Sequence, residues 1–466
     1  MAGLKLKGKD LRKLGFKEGK AIGVAMQVME KHFNHLSRSK ALDILSEVLS
    51  APDRYKDDPV LRKIAEALTP SPPVEGNEIP LNEQGKTYSI YGAEDIEEGA
   101  LNQMNIAVRL PIAVEGALMP DAHQGYGLPI GGVLATENAV IPFGVGVDIG
   151  CRMCLSIFDL PENYLYKNEK KLKKDLVENT LFGAGKEFDR PLDHEVLERE
   201  EFREIPILKS LHDRAVNQIG SSGSGNHFVE FGLAEILDEK NEFNMMPGRY
   251  LAILSHSGSR GLGATVANHY TRIAMERTKL PKAAKHLAWL DLNSEEGNEY
   301  WQAMNLAGDY SAACHYQIHQ KLAKALGESP EAIIENHHNF AWKEILQGKE
   351  VIVHRKGATP AGKNVLGIIP GSMAAPGYIV RGKGAKESLF SASHGAGRKM
   401  SKTQAKKSIT QKQLKKMLAD EGITLIGGGL DEAPIAYKDI EKVMMYQEDL
   451  VEVLGKFYPR LVRMDS

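Results

Sequence analysis

The chain has 466 residues, 42% of them hydrophobic and 26% charged, with a formal net charge of −2 and three cysteines. That length holds about three average domains or one large mixed core. The composition excludes a disordered chain, so few cysteines exclude a disulfide framework, and the near-neutral balance means any nucleic-acid partner must be held by a local patch.

Residues 1–68 read as a small helical module, because 21–29 and 41–49 carry apolar side chains at helical spacing. The run Thr-Pro-Ser-Pro-Pro-Val-Glu-Gly at 69–76 reads as a linker, leaving 77–466 as one mixed domain. The N-terminus lacks the apolar core of a signal peptide. No apolar run of about 18 residues occurs; the best candidate, 128–147, is interrupted by Glu137, Asn138 and Pro142. A cytoplasmic protein with no membrane segment is expected.

Beyond the linker, 97–107 reads as a helix and 133–141 as a strand. Strands are expected at 228–237, 250–255 and 350–354, several of them ending at a polar turn. The longest helices fall at 262–279 and 299–326, with another helical stretch at 434–454. Without a regular βαβ rhythm or an internal repeat, the fold class is α+β with its site built on loops.

Five separated turns carry metal-ligand or nucleophile side chains among glycines and polar residues. They are Asp148-Ile149-Gly150-Cys151, Gly225-Asn226-His227-Phe228, Ser255-His256-Ser257-Gly258, His337-His338-Asn339 and Ser393-His394-Gly395-Ala396-Gly397-Arg398. Ligands so far apart cannot make a local zinc knuckle; they imply one site assembled by the fold. A hard carboxylate, a soft thiolate and imidazoles fit manganese, zinc, iron, cobalt or nickel better than magnesium or calcium. Cys151 and Cys154 also form a lone C-x-x-C, half of a zinc ribbon without its second pair. A neutral His394 beside a polarised phosphate is a nucleophile if another group holds its second ring nitrogen, and Arg398 offers a countercharge. His354-Arg355-Lys356 adds two cations. From Arg398 to Lys416 eight basic residues occur with no acid, which reads either as a solvated helix face or as a phosphate track.

The motifs MPDAHQGYGLPIGG, GVGVDIGC, GSGNHFVE, SHSGSRGLG, HHN, HRKGAT, PGSM and SHGAGR, in this order, resemble those of the RtcB-type RNA ligases, over roughly three quarters of the chain. The resemblance implies an RtcB-like mixed core with a loop-built active site and two Mn²⁺ ions held by Asp148, Cys151, His227, His256 and His338. It implies that His394 takes GMP from GTP and that Asp121 orients its ring. The implied guanylate pocket comprises Asn226, His227, Phe228, Val229, Glu230, His338, Asn339, Pro370, Gly371, Ser372, Met373, His394, Gly395, Ala396 and Gly397. The implied substrates are RNA ends bearing a 3′-phosphate or 2′,3′-cyclic phosphate and a 5′-hydroxyl, with an accessory activator protein left open. The family pattern ends in a nucleotide-contacting lysine; here Arg463 is the expected substitute. Gly377 stands where the family usually has serine, and the helical head lies outside the pattern. Zinc stays open as the metal from the residues alone. Capping of 3′-phosphate ends without sealing, or a non-catalytic nucleic-acid-binding homologue, are the alternative functions.

Overall fold

The computed structural model describes residue 6 and residues 8–16, 20–68 and 78–465; the linker at 69–76 lies outside the described residues. The head contains helices Gly8–Leu14, Lys20–Phe33, Arg38–Ser50 and Arg62–Leu68. Ser37 caps the third by accepting from the Lys40 amide. Leu11, Met29, Leu45 and Ile64 fill a core made only of head residues. The helix Lys20–Phe33 also lies against the start of the long helix Glu295–Leu326.

The rest is α+β, built around two sheets. The larger has the strand order Leu366–Ile369, Gly377–Gly382, Val451–Met464, Phe228–Ile236, Gly248–Ser257, Arg152–Pro161, Ala332–His337, with Thr424–Ile426 paired beside Val451–Met464. Its end strands are joined by a side chain: Asn336 Nδ2 donates to the Ile368 carbonyl at 3.2 Å while its Oδ1 accepts from the Ile368 amide at 2.8 Å. One amide thus satisfies edge groups that a closed barrel would pair through backbone. The smaller sheet runs Tyr88–Ile90, Ala113–His123, Ile130–Thr136, Lys349–Lys356, Asn339–Leu346.

A single residue, His338, separates the last strand of the first sheet from the edge strand of the second. Its amide donates to the Cys151 carbonyl at 3.0 Å and its carbonyl accepts from the Gly357 amide at 2.7 Å. The chain therefore changes sheets at a residue fixed from both sides. Behind the larger sheet lies Glu295–Leu326, capped by Ser294 at its start and by Gly327, with φ of 79°, at its end. Arg152 reaches from the sheet to the Gly308 carbonyl of this helix at 3.2 Å.

Two expected elements differ. The strand expected at 133–141 is broken into Ile130–Thr136 and Ala139–Val140, because Asn138 turns the chain at φ 46°, a conformation asparagine tolerates. Of the helical stretch expected at 434–454, only a single 3-10 turn at Pro434–Ala436 and the helix Ile440–Met445, capped by Asp439, are helical. From Val451 the chain forms a fourteen-residue strand in the middle of the larger sheet, where pairing on both sides overrides local helical spacing.

Candidate active site

Sheet register explains how residues so distant in sequence meet. Strands Phe228–Ile236 and Arg152–Pro161 both begin where the intervening antiparallel strand Gly248–Ser257 ends: Phe228 and Met153 both stand opposite His256. Arg152 stands opposite His337 on its other side. Cys151, His227, His256 and His338 thereby share one edge of the larger sheet. Asp148 arrives on the loop that feeds the strand at Arg152. Gly258 must be glycine, because a Cβ there would overlap the Asp148 carboxylate.

At that edge the ligating atoms converge. Cys151 Sγ lies 3.1 Å from His256 Nε2 and 3.5 Å from His227 Nε2. His227 Nε2 is 3.0 Å from Asp148 Oδ2, and His256 Nε2 is 3.2 Å from His338 Nε2. His256 Nδ1–H donates to the Asn226 carbonyl at 3.1 Å, so its Nε2 presents a lone pair to the cluster, as a metal-binding imidazole does. The Ser259 amide holds Asp148 Oδ1 at 3.1 Å. Nδ1 of His227 and Nδ1 of His338 are buried with no hydrogen-bond partner among the described residues.

Electrostatics point the same way. Burial, joined by the neighbouring imidazoles, lowers His256 to about 3 and holds His338 well below its ordinary value. Both are thus neutral and able to ligate. Burial works to raise Asp148, but the hydrogen bond and charge of His227 outweigh it and keep the carboxyl ionised. Burial, then the Asp148 charge, pushes the Cys151 thiol well up. A cation would reverse that, since a coordinated thiol is deprotonated. Tetrahedral bonds of about 2.0–2.3 Å place ligand atoms about 3.3–3.8 Å apart, close to the separations seen. The donor set therefore fits divalent transition metal.

His394 follows the short strand Ser391–Ser393. Its Nδ1 lies 2.6 Å from Asp121 Oδ2, which also accepts from the His394 amide at 3.2 Å. Asp121 is fully buried in the strand Ala113–His123. Gly397, at φ 70°, passes so close to the Asp121 carbonyl that a Cβ could not fit. With Nδ1 turned to Asp121, Nε2 faces the ligand cluster; the His394 and His338 rings are 4.9 Å apart.

Both groups line one cavity of about 380 Å³, within the range of small-ligand sites. Its walls include Asn226, His227, Phe228 and Glu230, His338 and Asn339, all of 370–373 and all of 394–397. Burial alone raises the Glu230 carboxyl well above its usual range. Asp121 stands behind His394 instead of on the wall. Val229 turns its side chain into the apolar core.

Arg463 is not brought to the cavity. Strand alternation puts Val462 and Met464 on the wall. The Arg463 guanidinium instead donates to the carbonyls of Leu176 and Val177, each at 2.6 Å, and lies over the Phe182 ring. Arg398 reaches the wall already engaged by Glu432 at 2.9 Å and the Asp431 carbonyl at 2.7 Å. Of the two cations in His354-Arg355-Lys356, only Lys356 lines the cavity; Arg355 is buried against Glu344 and Ser391. Lys402 and Glu432, paired at 2.8 Å, line it too and carry no separate signal in the sequence. In the basic stretch, Lys402 and Lys406 pair with Asp431, and Lys416 pairs with Asp420. Lys399, Lys407, Lys412 and Lys415 are exposed.

Comparison with known proteins decides the family. The model for the tRNA-splicing ligase RtcB matches residues 103–206 and 201–465. The chain belongs to the RtcB family. The RNA-splicing ligase RtcB1 of Escherichia coli is 33% identical over 389 residues, covering 77% of this chain and 92% of that protein. The tRNA-splicing ligase RtcB of Methanococcus maripaludis is 32% identical over 424 residues, covering 75% and 88%. That of Aeropyrum pernix is also 32% identical, over 417 residues, covering 74% and 86%. The family match falls outside the helical head. Among the described residues, no helix is long and apolar enough to cross a membrane.

Proposed function

We propose that this RtcB-family protein is a GTP-dependent RNA ligase of the cytoplasm, acting in RNA repair or tRNA processing. It would join a 3′-phosphate or 2′,3′-cyclic phosphate end to a 5′-hydroxyl end through guanylated His394. The observation carrying this reading is the His394–Asp121 contact at 2.6 Å. Asp121 takes the Nδ1 proton as hydrogen-bond acceptor, so the Nε2 lone pair stays directed at the cavity, the arrangement an attacking imidazole needs.

The side chains then divide the work. Asp148, Cys151, His227, His256 and His338 would hold two divalent cations, manganese by family and zinc by donor chemistry also acceptable. Such ions offset phosphate charge and activate the attacking group. His394 attacks the α-phosphate of GTP, forming an N–P bond as pyrophosphate leaves. The RNA 3′-phosphate oxygen then attacks that phosphorus and frees the ring; the 5′-hydroxyl finally attacks the RNA phosphate and GMP departs. A cyclic phosphate end is hydrolysed first. Asn226, Glu230 and the turns at 370–373 and 394–397 form the guanylate pocket, in which base N–H groups supply the donors that the Glu230 carboxyl needs to ionise.

The exposed lysines of 399–415 extend the cavity mouth as a track for RNA phosphates. We assign 1–68 to a helical module, 69–76 to a linker and 77–466 to the catalytic domain. The test supplies GTP, Mn²⁺ and two RNA strands, one 3′-phosphorylated and one with a 5′-hydroxyl. A joined product with GMP released supports the reading. A guanylated 3′ end that never seals, or phosphate release without protein-bound GMP, refutes it.

A further inference from the structure

The C-x-x-C that carried half of a metal-site signature is divided by the sheet. Cys151 faces the cavity cluster, whereas Cys154 lies on the strand Arg152–Pro161, opposite Ser255 on the neighbouring strand. Ser255 and His256 are adjacent and so point to opposite faces: His256 joins the cavity cluster, and Ser255 faces the helix Glu295–Leu326. That helix presents His315 and His319, one turn apart on a single face. Cys154, His315 and His319 are exposed by only 4%, 0% and 7%. One ligating atom from each lies within 4.8 Å of the other two.

We propose that Cys154, His315 and His319 form a second, closed site for one soft divalent cation, zinc first, with the Ser255 hydroxyl as fourth neighbour. His315 Nδ1 and His319 Nε2 both aim at one point, each 2.7 Å from Ser255 Oγ. His315 Nε2–H donates to the Ser257 carbonyl at 3.2 Å, so its Nδ1 already offers a lone pair. The Ser255 hydroxyl donates to that lone pair and accepts from His319 Nε2–H. The far nitrogen, His319 Nδ1, lies 2.7 Å from Ser156 Oγ.

Loading exchanges the two hydrogen bonds between the Ser255 hydroxyl and the imidazoles for bonds to the ion, and the hydroxyl keeps its proton. The His319 proton shifts from Nε2 to Nδ1, where Ser156 accepts it instead of donating. The Cys154 thiol releases its proton to solvent as the S–metal bond forms. Thiolate and imidazole are the donor types of zinc sites, structural ones closing with four ligands, so the Ser255 hydroxyl is needed for the fourth place; unlike magnesium or calcium sites the set includes no carboxylate. None of the three lines the cavity, so the ion would tie helix to sheet and take no part in turnover. The proposal goes beyond the ligase reading and does not depend on it.

The test uses the full chain, stripped with a chelator and reloaded with Zn²⁺ or Co²⁺, comparing wild type with Cys154→Ser, His319→Gln and Cys151→Ser. Zinc content should fall by about one ion per chain in Cys154→Ser and His319→Gln. In Cys151→Ser, which leaves this site untouched, a Co²⁺–thiolate absorption should persist, and it should disappear when Cys154→Ser is added. Loss of the whole band in Cys151→Ser alone, or unchanged zinc in Cys154→Ser, would overturn the proposal. Because Cys151→Ser keeps all three side chains, the outcome does not hang on whether the other variants fold.

Discussion

The two faces of the same strands make an instructive pair. On one, Cys151 and His256 join Asp148, His227 and His338 at a cavity wall, and two imidazole nitrogens there have no hydrogen-bond partner among the described residues. On the other, Cys154, His315 and His319 are sealed beneath a helix, with both nitrogens of each imidazole hydrogen-bonded. Ser255 and His256, adjacent on one strand, thus meet opposite fates through strand alternation. A cluster with unsatisfied buried groups and an opening is built to receive something. The closed one, already hydrogen-bonded, ties helix to sheet, and on our proposal does so through an ion in place of the Ser255 hydrogen bonds.

Experiments can sharpen or break that contrast. The largest effect belongs to Asp121→Asn, which keeps the shape but reverses the hydrogen-bond role at His394 Nδ1. Guanylylation by labelled GTP should slow by roughly 10²–10⁴-fold while bound metal stays unchanged; an undiminished rate would remove Asp121 from its orienting role. Gly258→Ala pushes a methyl group into the Asp148 carboxylate. Metal affinity, followed by titration calorimetry with Mn²⁺, should weaken about 10–100-fold, as when a partner of a metal ligand is disturbed.

On the closed face, Ser156→Ala leaves His319 Nδ1 buried without its partner and should cost about 1–3 kcal/mol of stability. Labelling by GTP should not change; if it does, the two faces are not separable as drawn. The most gradual effect is a pH slope. Burial lowers Lys356 on the cavity wall to about 7, against an unfolded value near 10.5. Between those values the unfolded chain binds more protons, so stability of the metal-free protein should rise with pH there. The slope of apparent melting temperature against pH should be shallower in Lys356→Met.

The sequence made the ligand turns legible because glycine-rich and polar turns around Asp, Cys and His are chemically unusual wherever they occur. Their convergence depended on sheet register, which no local pattern reveals: His256 needed Phe228 and Met153 as neighbours on either side. The α+β class was readable, but the strand Val451–Met464 was not, because its place between two partners outweighs its local spacing. Arg463 was misplaced for the same reason, since alternation along that strand turns it outward to Leu176 and Val177. Lys402 and Glu432 enter the wall as an ion pair formed across a fold of the chain, and neither stands out alone. Cys154 shows the converse: its motif was visible, yet its neighbours lay 161 and 165 positions further along, on a helix the motif does not mention.

The most direct measurement is covalent labelling of His394→Ala by GTP radiolabelled at the α-phosphate, with metal content determined on the same sample. The label should vanish while metal stays near the wild-type amount, because the ring lies beside the proposed cation ligands with its Nδ1 held by Asp121. Full labelling of that variant would show that another side chain accepts GMP.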